Sequence, residues 1–570
     1  MFARRYSPVR SSVLLGKRKS YDELPALSVR RGELRVSLRR VIVAWLFCVL
    51  FVVFCRQASH VVVYFNMVGF TDFHFGVFGA LAFVPRIFQF VATVLIERTG
   101  LRKYLFIHAL TVSRLSWLAI AAVPLILPLP SAGAVAAVLV LWGISQAFQA
   151  LGEPAWMTWM GDLIPRRVRG RFLGHRRRLG IFVQLLAFAG AGLLVDAVTV
   201  PTRPETAAGQ PTMLWIITAL LAVGALSGTA DILLFRRIRE IRRPKGEQYE
   251  APVLDIRLGP RGRGLLAALR HGFGWLRAAG EELLVTPLRD RAFRGFTLYG
   301  VFGMAIHMSV GVFFMRNALE NLGYSKFGAN VLFIGVGGLM GVFSSRLWGR
   351  AIDRWGNRQV LMLGSAGTMC SALPWFFVTK DTPAPAFLVD GLNGLAAGIG
   401  GWFGHSDWMW ITPDVPLGAY LGGTVSCCIG GVCWAGVHLA REGVTMGFAD
   451  GPGRSKYVAA MSVMFGIGGT LGGLLGGGLA SLLAGHSISV GPFFWRNWHA
   501  VFLFSILARA TGVAILSRMP DPGGRSFQDM TRGMRDQIRR SVANGLYYPR
   551  RVFSWWPRTR ARGKDDPRDR

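Results

Sequence analysis

Apolar blocks about as long as a lipid bilayer is thick recur along this chain and limit what it can fold into. They lie near residues 41–66, 75–97, 104–128, 133–160, 173–200, 213–235, 295–316, 327–349, 359–379, 419–447, 457–485 and 499–518. A helix needs about 20 apolar residues, at about 1.5 Å rise each, to cross about 30 Å of hydrocarbon. We therefore expect an all-α membrane protein with twelve transmembrane helices, called spans 1 to 12 here.

Basic residues are concentrated between the apolar blocks. The net charge of +34 by itself would suit nucleic acid, but the Lys and Arg residues lie in alternate loops: 98–103, 166–178, 236–294, 350–358 and 454–456. Loops rich in Lys and Arg are typical of the cytoplasmic side of a membrane. We therefore expect no nucleic-acid partner, both termini in the cytoplasm, and a place in the plasma membrane, which in a bacterium is the inner membrane.

The same pattern divides the chain into five regions. We predict a basic cytoplasmic tail (1–40), a six-helix bundle (41–235), a cytoplasmic central loop (236–294), a second six-helix bundle (295–518) and a basic cytoplasmic tail (519–570). The long polar segment between the sixth and seventh blocks is the boundary between the two halves.

One further apolar piece, residues 383–403, does not fit the count of twelve. A thirteenth span would place the Arg-rich C-terminal tail outside, against the charge distribution. We therefore expect residues 380–418 to be an insertion on the outer face. A lid, a re-entrant element and a surface helix all remain open for residues 383–403.

A short loop sequence is repeated in the two halves. ERTGLRKYL (97–105) follows span 2 and DRWGNRQVL (353–361) follows span 8. The matching pairs are Glu97 and Asp353, Arg98 and Arg354, Gly100 and Gly356, and Arg102 and Arg358. A weaker match joins Asp162 and Arg169, after span 4, to Asp450 and Arg454, after span 10. Gly permits a tight reversal and the acid can pair with the arginines, so the register indicates two related halves.

The segment GRAIDRWGNRQVL (349–361) resembles the loop signature between the second and third helices of each half in the major facilitator superfamily. Gly349, Asp353, Arg354, Gly356 and Arg358 all match that signature, whereas the first copy has Thr93 and Glu97 in place of its Gly and Asp. The resemblance covers about residues 40–520. It implies two pseudo-symmetric six-helix bundles around a central cavity that opens alternately to either side.

The resemblance also implies an ionic contact on the inner side between the loop residues and an acid at the end of span 4, here Asp162. We therefore predict gating roles for Glu97, Arg98, Gly100, Arg102, Asp162, Arg169, Gly349, Asp353, Arg354, Gly356, Arg358, Asp450 and Arg454. The alternative is that these loops only orient and cap the helices through their charge.

Polar side chains inside the spans are candidates for the solute cavity and for ion coupling, because a charge at bilayer depth costs about 2.5 kcal/mol or more and needs a partner or water. The candidates are Arg56, His60, Arg86, Gln89, Arg114, Gln146, Glu153, Arg441 and Glu442. Arg56, Arg86 and Arg114 predict a positive cavity wall suited to an anionic solute. The alternative remains open that these arginines pair with Glu153 and helix carbonyls and only fix the packing.

Two acids, Glu153 and Glu442, occupy similar depths in spans 4 and 10 and are either proton-coupling sites or salt-bridge partners. Asp196 and Asp231 lie nearer the ends of their spans, so we expect them at the membrane interface. The glycine run 466–478 of span 11 predicts close helix packing.

The sequence contains no phosphate-binding loop, metal-binding His/Glu pair or nucleophile beside a base. We therefore expect neither an enzyme nor an ATP-driven pump, and no cofactor or metal. The leading hypothesis is a secondary active transporter of a small organic solute, anionic or amphiphilic, that is coupled to protons, with the bilayer as its other partner. The alternative is a non-transporting relative that acts as a sensor or assembly factor through its basic tails.

Overall fold

The computed structural model describes residues 31–89, 91–92, 96, 102–164, 166–199, 209–238, 281, 285–402, 411, 415–448, 454–518 and 535. Ten helices within these residues are long and apolar enough to cross a membrane. The other two predicted spans, 2 and 9, are helical but interrupted. Most of the predicted tails and central loop falls outside the described residues, but residues 31–40 of the predicted N-terminal tail are helical and belong to span 1.

In the first half, span 1 comprises the helix Arg31–Val52, a π-helical turn Val53–Gln57 and the helix Ser59–Val68. Span 2 comprises the helix Asp72–Leu81 and the 3₁₀ turn Val84–Ile87, followed by further helical residues. Spans 3 to 6 are the continuous helices Arg102–Ile126, Ala132–Leu163, Arg166–Thr199 and Gly209–Phe235.

In the second half, the short helix Thr286–Leu288 precedes span 7, which comprises Arg291–Arg316 and the π-helical turn Asn317–Asn321. Span 8 comprises Lys326–Asn330, the π-helical turn Val331–Val336 and Gly337–Trp355. Span 9 comprises Asn357–Cys370 and the 3₁₀ turn Leu373–Phe376. Spans 10, 11 and 12 are Leu417–Phe448, Arg454–Leu482 and Asn497–Ser517.

The interruptions have local causes that an apolar block does not reveal. Pro85 and Pro374 each stand in the first turn of a 3₁₀ segment, where a missing N–H is tolerated but a continuous α-helix would lose a hydrogen bond. In span 1 the break falls at Ala58, whose backbone is extended at φ −80° and ψ 158°. The sequence predicts uninterrupted spans at all three places.

Two small elements lie between the later spans. The strands Ser487–Val490 and Phe493–Arg496 form an antiparallel hairpin, which the sequence analysis did not predict. The helix Ala386–Trp402 lies in the predicted insertion, and its apolar part is too short to be a span. It does not pack along any described span, and Asn393 holds the chain beyond it through two hydrogen bonds to the backbone of Ile411, of 2.8 and 3.0 Å.

Each half has hydrophobic clusters of its own at both ends. In the first half one cluster surrounds Trp117 and another surrounds Trp159, and in the second half the corresponding clusters surround Trp348 and Trp375. The halves meet where span 2 packs on span 11, where span 5 packs on span 8, and where spans 1 and 2 touch span 7. Each half is therefore built as a separate packing unit.

The glycine run of span 11 makes two close helix contacts possible. A Cβ atom on Gly468, Gly472 or Gly476 would meet the backbone of span 7. A Cβ atom on Gly473 or Gly477 would instead meet the backbone of span 2, at 2.6 Å from Ala80 and Gly76 respectively. One stripe therefore packs within the second half and the other packs between the halves.

Candidate functional site

A cavity of about 870 Å³ lies between the two halves. Its walls come from spans 1, 2 and 5 of the first half and spans 7 and 8 of the second, and most of the lining side chains are aliphatic or aromatic. Arg56, Gln184 and His307 bring hydrogen-bonding side chains into this apolar surface. The volume lies within the range of small-molecule sites.

Arg56 reaches the cavity because span 1 changes its helical form there. It lies in the π-helical turn Val53–Gln57, close before the extended residue that interrupts the span. The break frees backbone carbonyls, and a ring nitrogen of His60 lies 2.8 Å from the carbonyl of Phe54 and donates to it. His60 is fully buried and does not line the cavity, so it stabilises the break that positions Arg56.

Two glutamines of span 4 bind Arg56 and Arg114. Arg56 donates to Gln146 Oε1 at 3.1 Å, and Arg114 donates to Gln149 Oε1 at 3.1 Å. Gln146 and Gln149 are three residues apart and so lie on one face of the helix. Arg114 stacks on Phe51 with its guanidinium carbon 3.9 Å from the ring centroid, which places it behind the cavity wall.

Asp231, four residues before the end of span 6, belongs to the same cluster. It is 4% exposed, and its Oδ2 lies 4.0 Å from an Arg114 nitrogen. Cys48 Sγ lies 3.9 Å from the same guanidinium. The sequence signal for this burial is Arg114, because a charge inside an apolar block needs a partner.

Glu153 takes part in a contact that joins the two halves. Its Oε2 accepts a hydrogen bond of 3.4 Å from Gln89, and Gln89 Oε1 accepts one of 2.6 Å from Ser462 of span 11. Arg86 lies on the same side of span 2, with its guanidinium 4.7 Å from the ring of Phe83 and within electrostatic range of Glu153. Of Arg56, Arg86, Arg114 and Glu153, Arg56 alone lines the described cavity.

The predicted cavity residues of the second half, Arg441 and Glu442, lie in another polar cluster. Arg441 donates to His438 Nδ1 at 3.0 Å, and Glu442, the next residue, has an exposed side chain. Arg509 stacks on Trp434 at 5.4 Å, and His307 of the cavity wall packs against the same tryptophan at 4.4 Å. Neither Arg441 nor Glu442 lines the described cavity.

The predicted gating residues are only partly described. Glu97, Arg98, Gly100 and Asp450 lie outside the described residues. The backbones of Asp162, Arg169 and Arg454 belong to spans 4, 5 and 11. Arg102 is 5% exposed at the start of span 3.

The second copy of the loop is described throughout. Gly356 has φ +94°, a conformation that favours glycine, and it separates spans 8 and 9. A Cβ atom on Gly349 would have no described atom within 4 Å, so the packing at this position does not require glycine. Asp353 and Arg354 are exposed on the last turn of span 8, where Arg354 stacks on Trp355 at 5.1 Å.

A basic residue of each loop caps the last helix of its own half. Arg358 Nε donates to the carbonyl of Leu516 at 2.9 Å, and the same guanidinium donates to Ser517. Lys103 donates to the carbonyls of Arg236 and Ile238, both at 2.8 Å, beyond the end of span 6. Cations favour the carbonyl end of a helix, so these contacts give the loops a capping role in each half.

At the opposite end of the bundle, a polar cluster joins the halves. Arg316 stands out in the sequence as a charge inside an apolar block, but its contacts are not predicted from the sequence. We call this end, which carries residues 69–71, 127–131 and 322–325, the outer end, following the loop charges. The outer network consists of Asp72 at the start of span 2, Arg316 and Glu320 at the end of span 7, Asn66 of span 1, and Asn497 and Trp498 of span 12.

Arg316 is the centre of the outer network. It pairs with Asp72 and forms a two-pronged pair with Glu320, at 2.9 and 3.0 Å. Asn66 donates to Glu320 at 2.8 Å. Asn497 and Trp498 donate to Asp72 at 2.6 and 3.2 Å.

A second polar contact lies nearby. Asp196 of span 5 accepts hydrogen bonds from the backbone nitrogens of Lys326 and Phe327, at 3.0 and 2.8 Å, and so caps the start of span 8. The backbone nitrogen of Ser59 donates to Asn330 Oδ1 at 2.9 Å. With the outer network, these contacts hold the halves together at the outer end.

Comparisons with known proteins agree with this architecture. The sequence matches the model of the Major Facilitator Superfamily over residues 46–412. No curated protein matches it significantly. The nucleoside transporter NupG superposes with a TM-score of 0.54 at 11% identity, covering 85% of this chain and 98% of its own.

Two structures of xylose transporters superpose similarly. A D-xylose–proton symporter gives a TM-score of 0.53 at 14% identity, covering 86% of this chain and 99% of its own. An inward-open xylose transporter XylE from E. coli gives 0.50 at 14% identity, covering 88% and 99%. At such identities the likeness shows the fold alone. The predicted fold, twelve transmembrane helices in two pseudo-symmetric six-helix bundles, is confirmed.

Proposed function

The chain belongs to the major facilitator superfamily, and from that premise we propose that it carries a small organic anion with an apolar body across the membrane, driven by protons. It is a multi-pass membrane protein and a secondary transporter, not an enzyme. We propose the class of solute, the coupling ion and the orientation in the membrane.

The position of Arg56 carries the proposal for the solute. Arg56 stands in the wall of a largely apolar cavity between the halves. The hydrogen bond to Gln146 uses one of its five N–H donors, and the planar donor pair of an arginine matches a carboxylate. The aliphatic and aromatic walls favour a hydrocarbon body. An amphiphilic carboxylate therefore fits this cavity better than the sugar that gives the neighbouring symporter its name.

Two observations support proton coupling. A protein of the same fold is itself a proton symporter, for D-xylose. In this chain Glu153 and Glu442 both have exposed carboxylates, and Glu153 lies at the Gln89–Ser462 contact that joins the halves. We propose that these acids pass protons between water and the interior. Arg86, Gln89 and Arg441 are proposed to line the same path.

The loop charges support the orientation. With Lys and Arg concentrated in alternate loops, both termini lie in the cytoplasm and the protein lies in the plasma membrane, which in a bacterium is the inner membrane. The two loop repeats, with Asp162 and Arg169, are then proposed as an inner gate that closes when the outer network opens.

Transport by purified protein in liposomes tests the proposal. The panel contains radiolabelled aromatic and aliphatic monocarboxylates, with neutral sugars and nucleosides for comparison, and a pH gradient is imposed across the membrane. We expect a monocarboxylate to accumulate only with the gradient. Arg56→Gln removes charge-assisted hydrogen bonds worth about 1.5 kcal/mol or more, so uptake efficiency falls about tenfold or more.

Matched variants complete this experiment. Arg56→Lys keeps the charge without the planar fork and retains part of the uptake. Arg39→Gln, an exposed arginine on the same span, retains all of it. Uptake confined to neutral solutes, or anion uptake that ignores Arg56→Gln, would contradict the proposed solute class. No gradient response by any solute would favour the sensor or assembly-factor alternative.

A further inference from the structure

The first half contains a fully buried carboxylate that the solute site does not use directly. Asp231 of span 6 is 4% exposed and is the one buried acid among the described residues. A buried charge is strongly disfavoured unless partners compensate for it, and ionisable groups inside a membrane protein commonly have a function. The partners of Asp231 therefore decide whether it holds a proton.

The charged and titratable groups that face Asp231 come from three neighbouring spans. They are Cys48 of span 1, Arg114 of span 3 and Arg176 of span 5. The nearest Arg114 nitrogen is 4.0 Å away, longer than a charge-assisted hydrogen bond, and Arg114 Nε has no partner among the described residues. Arg176 stacks on Trp45 at 3.9 Å and on Trp156 at 5.1 Å. The pair is thus loose and able to rearrange.

Two hydrogen bonds to neighbouring glutamines of span 4 connect this pair with the cavity wall. Arg114 donates to Gln149, and one helical turn along span 4 Gln146 accepts from Arg56, which lines the cavity. A movement of span 4 therefore changes the surroundings of both arginines together. The solute site and the buried acid are linked by contacts within the first half alone.

We infer that Asp231 is the carboxyl group that binds and releases the coupling proton, and that Arg114 links its charge to the solute site through Gln149 and Gln146. This inference rests on the proposed proton-coupled transport. A solute anion adds negative charge beside the arginines, whereas a proton on Asp231 removes negative charge from the same cluster. The binding of anion and proton therefore reinforce each other, as symport requires.

A spectroscopic titration tests the inference with the proton itself as the probe. Infrared difference spectra are recorded on the reconstituted protein as the pH is raised. We expect the C=O stretch of a protonated carboxylic acid to disappear with deprotonation, to be absent in Asp231→Asn, and to return at a shifted frequency in Asp231→Glu. Asp390→Asn, a change at an exposed aspartate of the helix Ala386–Trp402, leaves the band unchanged.

Two further variants guard against a merely structural effect. Asp231→Asn combined with Arg114→Gln removes both charges, so that the protein folds without an unpaired arginine. Arg114→Gln alone should shift the midpoint of the infrared titration, because it removes the cation that faces the acid. A wild-type band that persists in Asp231→Asn, or that does not titrate, overturns the inference.

Transport separates this inference from the proposed function. With a solute from the panel, Asp231→Asn should exchange solute at equal pH on both sides but should not accumulate it with a pH gradient. Unchanged accumulation in Asp231→Asn overturns the role of Asp231 and leaves the proposed function intact. If no panel solute responds to the gradient in the wild type, the proposed function fails and the coupling role fails with it.

Discussion

Arg316 shows how a single residue can hold the two halves together. It faces two carboxylates, Asp72 from the first half and Glu320 from its own half, and is 8% exposed. Its guanidinium also lies 4.6 Å from the ring of Phe75 and 5.0 Å from that of Trp498. Because one cation balances two acids, its removal leaves two like charges close together at the closed outer end.

We therefore predict that Arg316→Gln opens the outer end. Breaking a buried ion pair costs about 3 kcal/mol, and separation of the halves lets Asp72 and Glu320 regain water. The measurement uses a Val62→Cys reporter, at a residue that lines the cavity, in a background without the native cysteines. Labelling by a membrane-impermeant maleimide from outside should become many times faster.

Arg316→Lys is the matched variant, since it keeps the charge and should label nearly as slowly as the reporter alone. Equal labelling rates in Arg316→Gln and the reporter would show that the outer network does not control closure.

Among individual residues, the sequence indicates charges that lie inside an apolar block and does not distinguish functional charges at the ends of spans. Arg56 and Arg114 stand out because a charge inside an apolar block needs an explanation. Asp72 and Glu320 lie at span ends, where charges are common, and Arg316 meets Asp72 across 244 residues of sequence. Asp231 was judged by its distance from a span end, although its partner on span 3 decides its environment.

Among the elements, span 11 shows why one glycine run serves two purposes. Gly476 lies against the backbone of span 7 at Ser309, within its own half, and Gly473 lies against span 2 of the other half at Ala80. Gly478 has no described atom near a Cβ position. The run predicted close packing correctly, but the sequence does not say which glycine meets which helix.

We predict different effects for three alanine substitutions in this run. Gly473→Ala overpacks a contact that exists only while the outer end is closed, so it should accelerate labelling of the Val62→Cys reporter. Gly476→Ala overpacks the second half itself and should lower thermal stability by about 1–3 kcal/mol without faster labelling. Gly478→Ala should change neither, and identical behaviour of all three would contradict the two-stripe interpretation.

The loop capping contacts give another prediction at the element scale. Arg358→Met removes two hydrogen bonds to the end of span 12, and Lys103→Met removes two beyond the end of span 6. Each change should lower the free energy of unfolding by about 1 kcal/mol, with additive effects because the contacts lie in different halves. Thermal unfolding of the purified variants measures this.

Arg346→Met, at an exposed residue of span 8, serves as the control for the capping variants. If Arg358→Met left stability unchanged but altered transport, the loop arginine would act in gating and not as a cap. A capping role thus predicts a loss of stability in Arg358→Met, whereas a gating role predicts altered transport at unchanged stability.

Hydropathy predicts the positions of the helices but not their interruptions. Mean apolarity over some 20 residues locates helices well, since nearly every helix must face lipid. It does not detect where a helix is interrupted, as at Ala58, Pro85 and Pro374. The break in span 1 is the one that places Arg56 in the cavity. The site therefore depends on a local feature that a mean hydropathy does not detect.

In the whole molecule, packing is hydrophobic inside each half and partly polar between the halves. The buried residues of the clusters around Trp117 and Trp375 each come from one half, whereas Asp72–Arg316, Asp196–Lys326 and Ser59–Asn330 cross between the halves. Polar contacts exchange for water at little net cost, but a broken hydrophobic core does not. The halves should therefore separate at the outer end as intact bodies.

Cross-linking tests this rigid-body movement directly. Asn66 and Glu320 are joined across the halves by a hydrogen bond of 2.8 Å, whereas Tyr299 and Ser365 are joined within the second half by one of 2.7 Å. Cysteine pairs at these positions are bridged by a short, reducible bifunctional reagent. We expect the bridge between Asn66→Cys and Glu320→Cys to stop transport and reduction to restore it, because the outer end must open in each cycle. The bridge between Tyr299→Cys and Ser365→Cys should leave transport intact, since spans 7 and 9 move together, and loss of transport from this bridge would show that the second half deforms internally.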